Sequence, residues 1–254
     1  MKKALSLLLA AVALISLLSL TSCSRADIDL RNKDNIYSDL ESMIKNSADY
    51  AGQTVALSAE CVAIYNFSTN KIARYSVHAI DENGENHAFY EMRTKDGKYP
   101  KTGSQATIFG VLNKDIYVDV SKIRDAEYSM DFDLDALSYT PNQLATFISN
   151  YNTQYQSSAY YGKTIRIFGH LKTVDEGYTF LVGLDGNGQY LWDIELRDEN
   201  GAFEYPNAEG NTVNPVEVIG TLSTYVNKNV VYTCITVKEI GRAESVFKEE
   251  TITQ

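Results

Sequence analysis

The sequence predicts a mainly β protein of two tandem five-stranded barrels, each preceded by an α-helix, and three observations carry that prediction. First, residues 161–171 repeat the apolar pattern of residues 51–61 at an offset of 110 positions. Ile165, Ile167 and Leu171 fall on one face of a strand, and Val55, Leu57 and Cys61 take the same slots in the first copy. Second, Asn83-Gly84 and Asn187-Gly188 each sit between two alternating runs, the strongest short-range hairpin signal. Third, Gly occurs in the first and fourth strand candidates (Gly169, Gly110, Gly220), where a strand bends to serve both halves of a small barrel.

Residues 1–22 read as an export signal: Lys2 and Lys3, an apolar run over residues 4–20, then Thr21-Ser22 before Cys23. A transmembrane anchor is the competing reading, but 17 residues fall short of the roughly 20 that span hydrocarbon. Residues 23–33 are short and polar and read as a tether.

The first barrel with its leading helix is expected over residues 34–125. Ile36, Leu40, Met43 and Ile44 form a helical stripe, with Asp34 or Asn35 as its N-cap. Strands follow at 54–65, 75–80, 87–94, around Phe109-Gly110-Val111-Leu112, and at 116–123. Residues 126–139 are acidic without a sustained period and read as a linker.

The second unit, 140–244, repeats the order. Thr140-Pro141 starts a helix whose Leu144, Phe147 and Ile148 match Leu40, Met43 and Ile44. Glu195-Leu196-Arg197 answers Glu91-Met92-Arg93, Tyr205-Pro206 answers Tyr99-Pro100, and 233–240 answers 116–123. Residues 245–254 read as a loose tail.

Five short strands with these bending glycines suggest an OB-fold, with an SH3-like barrel as the alternative. The runs from Gly162 to Gly169 and from Val216 to Leu222, with their counterparts from Gly52 and Gly110, resemble the tRNA-anticodon-like OB-fold domains of bacterial lipoproteins. Leu20-Thr21-Ser22-Cys23 likewise resembles a lipobox, which implies cleavage before Cys23, acylation of that residue (palmitate among the lipids) and an extracytoplasmic location on a bacterial cell membrane. The family resemblance supplies no catalytic residues.

Of 23 Lys and Arg, removal of Lys2 and Lys3 leaves 21 against 33 Asp and Glu, a net charge of about −12. That field repels a polyanion and argues against nucleic-acid binding. Cys61 and Cys234 are too few for a disulfide framework and alternate onto different faces, so two free thiols are expected.

A two-residue turn at Asn187-Gly188 would set Leu184 opposite Leu191, Gly183 opposite Trp192 and Val182 opposite Asp193. Trp192, Ile194 and Leu196 then face the core, with the Trp192 ring over Gly183. The other face carries Phe180, Val182, Leu184, Leu191, Asp193 and Glu195. Four apolar residues there mark a surface for a protein, peptide or glycan, unless the other module packs on it.

In the first copy Ala79 would face Ala88, and His78, Ile80, His87, Phe89 and Glu91 would share the equivalent face. His78, His87 and Glu91 make only a loose metal constellation, so no metal or cofactor is assigned. Glu91 with Arg93 and Glu195 with Arg197 read as surface ion pairs. No Ser-His-Asp set, P-loop or Rossmann fingerprint appears. The expected function is therefore non-catalytic binding or assembly by a lipid-anchored envelope protein. The alternative is an envelope hydrolase at the barrel junction, which requires a cleft holding a buried acid of perturbed pKa.

Overall fold

The computed structural model of the chain describes residues 26–155, 159–174, 178–203 and 215–246. The signal segment, Cys23, Tyr205-Pro206 and residues 247–254 lie outside them. No helix among the described residues is long and apolar enough to cross a membrane.

Two barrels of five strands each are present. In the first, β2 (Thr54–Asn66), β3 (Lys71–Ile80), β4 (Asn86–Thr94), β5 (Ser104–Asn113) and β6 (Tyr117–Arg124) join in the order β2-β3-β4-β6-β5, and β5 returns to β2. β4 and β6 run parallel and the other ring pairs antiparallel. In the second, β8 (Thr164–Thr173), β9 (Thr179–Leu184), β10 (Tyr190–Asp198), β12 (Pro215–Asn227) and β13 (Val230–Arg242) repeat the ring, again with one parallel pair, β10 with β13. This is the five-stranded Greek-key arrangement of an OB-fold-like barrel. β11 (Gly201–Ala202) extends the edge of β10.

The fourth-strand glycines work as the sequence suggests. A register shift falls at Phe109/Gly110 and again at Ile219/Gly220. A Cβ on Gly110 would lie 2.5 Å from Val118 Cγ1, and one on Gly220 would lie 2.5 Å from Ile235 Cγ2, so the bend admits no side chain.

Before each barrel runs a helix. α1 (Tyr37–Lys45) buries Leu40 and Met43 and is followed by the single-turn α2 (Ser47–Tyr50). Ile36 occupies the N-cap of α1, while Asn35 Oδ1 accepts from the Tyr37 N–H at 2.8 Å. α3 (Pro141–Gln154) starts with a capping box between Thr140 and Gln143 and buries Leu144, Phe147, Ile148 and Tyr151.

Both stretches read as connectors contain a strand. β1 (Ile28–Leu30) pairs parallel with β2, and β7 (Leu134–Asp135) pairs parallel with β8. Asp27 carries out the same bonding as Asp133: its carboxylate accepts from the N–H and hydroxyl of Thr54 (2.8 and 2.7 Å), and that of Asp133 accepts from those of Thr164 (2.8 and 2.9 Å). The start of the expected tail is also a strand. β14 (Glu244–Val246) crosses to the first barrel and pairs parallel with Ile64, Tyr65 and Asn66.

The hairpin turns differ from the expectation. Asp81 pairs with Glu85 and Asp185 with Gln189, enclosing three residues instead of two. Gly84 and Gly188 take φ of +83° and +77°, a left-handed residue after a type I turn. Each Asp side chain fixes the loop by accepting two backbone N–H bonds, from Asn83 and Glu85 or from Asn187 and Gln189. Gly183 still faces Trp192 and Val182 still faces Asp193, because a bulge at Leu191 takes up the extra residue. Leu184, however, faces Tyr190, and Leu191 turns toward its own core. In the first copy Ala79 faces His87 and Ala88 faces His78, which puts the two histidines on opposite faces.

The cores are those of the alternating faces. Trp192 is buried, and a Cβ on Gly183 would lie 2.0 Å from its Cε2, so the indole fills the space that the glycine leaves. Cys61 is buried in the first core, Cys234 is buried against Ser223, and both are free thiols.

A third cluster joins the barrels. It contains Ala63, Tyr65, Phe67, Leu137, Phe168 and Ala243, with Leu184 packed against it. Tyr65 stacks on Phe168 (4.9 Å, 8°) and Phe67 on His170 (4.8 Å, 14°). Around it, Asn70 Nδ2 donates to the carbonyls of Ala136 and Tyr139 (2.6 and 2.8 Å), and Arg242 reaches Glu60 (3.1 Å) and Glu244 (3.3 Å).

Candidate functional site

The residues singled out in the sequence divide among four environments. Phe180 and Asp193 are half-buried and line an open groove of about 580 Å³ on the second barrel. Val182 is buried, paired with His170 in the ladder, and Leu184 packs on the cluster between the barrels, so that part of the apolar face is covered by the other module. Leu191 is half-buried and packs against the second core.

In the first barrel the face breaks up. His78 is buried, with Nδ1 3.0 Å from Asn86 Oδ1 and 3.3 Å from Arg242 Nη2. Burial holds its pKa below the usual imidazole value, against the pull of Glu244. Ile80 is exposed, at 53%. His87 bonds Asp81 (3.1 Å) and meets the edge of Tyr37 (5.1 Å), and Phe89 packs on the core, 5.3 Å from the same ring. The constellation of His78, His87 and Glu91 is thus not assembled. Asp81, Glu85 and His87 come together instead, with ligand atoms within 4.8 Å, but Asp81 already serves the turn and His87.

The groove of the second barrel forms between the second and third barrel strands and the two loops that frame them, the surface on which OB-folds take ligands. Val174 and Tyr178 come from the loop between β8 and β9, Phe180 from β9, Asp193 and Glu195 from β10, Asn152 from α3, and Tyr225, Asn227, Lys228, Val231 and Tyr232 from the β12–β13 hairpin. That hairpin turns at Lys228-Asn229, both with positive φ (48° and 63°), the two-residue form that matches strand twist.

Below the rings lies a satisfied carboxylate. Glu195 is buried and accepts from Tyr225 Oη at 2.6 Å and from Arg197 Nη1 at 2.9 Å. Arg197 lies 3.8 Å from the centroid of the Tyr225 ring, and Tyr225 stacks with Tyr232 at 5.4 Å and 20°. Glu195, Arg197 and Tyr225 therefore hold one ring firmly, and Tyr232, 42% exposed, continues the stack outward. Both expected ion pairs form, but only Glu91 with Arg93 (2.8 Å) lies at the surface; in the pair of Glu195 with Arg197 the carboxylate is buried. Asn152 bridges the far side, accepting from Thr233 Oγ1 at 2.6 Å and donating to the Asp193 carbonyl at 3.4 Å. Among the lining residues only Lys228 is a cation.

No family model, curated protein or solved structure matches the chain. The reading therefore rests on the site itself.

A second concavity, about 520 Å³, lies where the barrels meet. Tyr75 and Tyr99, stacked at 4.1 Å and 4°, line it with Tyr128, Phe132, Arg166 and Glu217. Glu217 is buried, and burial pushes its carboxyl up to about 7, with Arg166 acting in the opposite direction. Nothing in the local sequence marks Glu217 as a site residue. Its neighbours in β12 read as an apolar core run, and only the packing of the other module makes the position dry.

Proposed function

We propose that the protein is a lipid-anchored, extracytoplasmic binding protein without catalytic activity, and that the groove of its second barrel takes a segment of an extended, uncharged glycan. The observation that carries this reading is the groove itself: Phe180, Tyr178, Tyr225 and Tyr232 around the buried Glu195, framed by both ligand-side loops. Flat aromatic faces suit the apolar faces of sugar rings, while Asn152, Asp193 and Asn227 offer donors and acceptors at hydroxyl reach. A nucleic acid would need more cations than Lys228 to replace its counterions.

The junction cleft contains the buried acid that the hydrolase alternative requires. Glycoside hydrolysis there also needs a second carboxylate. Asp135 is engaged with Arg166 (2.6 Å), Glu239 with Lys101 (3.8 Å) and Glu91 with Arg93 (2.8 Å), which leaves Asp131 as the lining carboxylate that this alternative would have to use.

The membrane part of the reading rests on Leu20-Thr21-Ser22-Cys23 alone. Cys23→Ala should move the protein from the membrane to the soluble fraction, and a variant that stays on the membrane defeats the anchor. For the groove, chitohexaose serves as an uncharged probe in calorimetric titration. Tyr232→Ala should weaken its binding about tenfold with the melting temperature unchanged, the loss of one stacked aromatic face. Equal affinity in the variant would remove the groove from the site.

A further inference from the structure

Glu217 stands on β12 at the floor of the junction cleft and is only 4% exposed. A carboxylate at this depth ordinarily draws two or three hydrogen bonds. Among the described residues none donates to it. The nearest cation, Arg166 Nη1, is 3.9 Å away, and that guanidinium is held by Asp135 through Nη2 (2.6 Å) and Nε (3.2 Å). Lys101 is drawn to Glu239.

The charged and titratable groups that act on Glu217 are Arg166 of β8, Glu239 of β13, Asp135 of β7, Lys101 from the segment between β4 and β5, and Tyr75 of β3, and two further carboxylates, Glu91 and Asp131, line the same cleft. Around Glu217 itself three carboxylates, Glu217 included, stand against two cations, one cation short, and of the two further lining carboxylates Glu91 is drawn to Arg93 (2.8 Å). The walls above it are aromatic, the stacked Tyr75 and Tyr99 with Tyr128 and Phe132. Arg74 and Lys98 stand among the lining residues, and no carboxylate among the described residues pairs with either side chain.

We propose that the junction cleft is a binding site for a small primary-ammonium compound with a flat apolar body, the ammonium donating to the Glu217 carboxylate and the body lying against Tyr75 and Tyr99. The ammonium supplies the hydrogen bonds and the charge that the fold leaves out, and the rings add cation–π attraction. An amino acid carries in addition a carboxylate that Arg74 and Lys98 can meet. The raised pKa of Glu217 follows from the same deficit, so a bound cation must pull it back down and expel a proton at neutral pH.

Calorimetric titration with phenethylamine and with phenylalanine tests this. At pH 8 phenethylamine should bind, and Glu217→Gln should weaken it at least about tenfold, the order of effect for losing a buried charge-assisted bond. At pH 6, with a carboxyl of pKa about 7 mostly protonated, the wild type should bind about tenfold more weakly. Near pH 7 the heat should differ between phosphate and Tris, reporting proton release. That last measurement needs no variant and decides the matter if Glu217→Gln fails to fold. Phenylalanine binding more tightly than phenethylamine identifies amino acids as the ligand class, and the reverse identifies amines that lack a carboxylate. Equal affinity for Glu217→Gln, affinity independent of pH, or no heat from either probe up to about 10 mM would overturn the proposal.

Discussion

Each barrel extends one ribbon beyond its ring, but not the same one. In the first barrel the extended ribbon joins the first two ring strands, with β2 running 13 residues before the turn into β3. Its tip carries Tyr65 and Phe67 onto Phe168 and His170 of the second barrel, and Asn70 onto the carbonyls of Ala136 and Tyr139. In the second barrel the last two ring strands are extended, β12 and β13 at 13 residues each against 10 and 8 in the first copy. The ring end of that ribbon meets the first barrel, with Arg242 on Glu60, while at its tip Val226, Val230, Val231 and Tyr232 remain exposed. One fold thus yields an adhesive ribbon in one copy and a groove wall in the other. The difference is made by ribbon length beyond the ring, while the rings keep their order.

The largest effect is expected at the adhesive ribbon. Phe168→Ala removes the ring on which Tyr65 lies and should cost about 3 to 5 kcal/mol, the range for truncating a buried aromatic. Calorimetry should then show two unfolding transitions in place of one, because the barrels lose the core that they share. A single transition at an unchanged temperature would mean that β14 and the Arg242 pairs hold the barrels together without the aromatic cluster.

The next effect depends on pH and separates two equivalent slots. Where the second barrel has Glu217 the first has Thr107, whose hydroxyl is 3.1 Å from Asp125 Oδ2 and 3.3 Å from Ser58 Oγ. The folded pKa of Glu217 is about 7 against an ordinary 4.5, so its contribution to stability is full below pH 4.5 and is lost as pH rises through 7. Glu217→Gln does not titrate. Relative to wild type, the variant should gain about 3 kcal/mol on going from pH 4 to pH 8, from a shift of two to three pKa units. Urea unfolding at the two pH values measures it, and a difference that does not change with pH would place the Glu217 carboxyl in water.

How much of this was legible in the sequence varies with the range of the interactions. The rings, their glycine bends and the cover of Gly183 by Trp192 follow from alternation and turn residues, which are local. The Asn-Gly turns are one residue longer than the dipeptide alone suggests, because Asn-Gly also fits a type I turn with a left-handed Gly. The deciding feature is the Asp two positions earlier, whose carboxylate bonds the backbone two and four residues on. β1 and β7 are hidden as strands because Asp27-Ile28-Asp29 and Asp133-Leu134-Asp135 are acidic and short. Their shared pattern ahead of Thr54 and Thr164 was a signal available in the sequence.

The junction was not legible, since it depends on which faces of two barrels meet. Gly186 illustrates this. The first copy has Glu82 in that slot, but a Cβ at Gly186 would lie 2.2 Å from Ser68 Oγ on the other module. Nothing near Gly186 in the chain announces that neighbour.

The smallest expected effect distinguishes the two leading helices. α3 has a reciprocal capping box, while α1 has the buried Ile36 at its N-cap and no side chain capping it, with Asn35 accepting from one N–H. Thr140→Ala should cost about 1 kcal/mol, the usual loss for an N-cap, and Asn35→Ala about half of that. Chemical denaturation of each variant provides the comparison. The physical reason is a division of labour in α1: Leu40 and Met43 are buried in the first core, so packing in place of capping fixes where that helix begins. If Asn35→Ala proves as costly as Thr140→Ala, the Asn35 bond to the Tyr37 N–H is a full cap. The two helices would then start by one rule despite their different sequences.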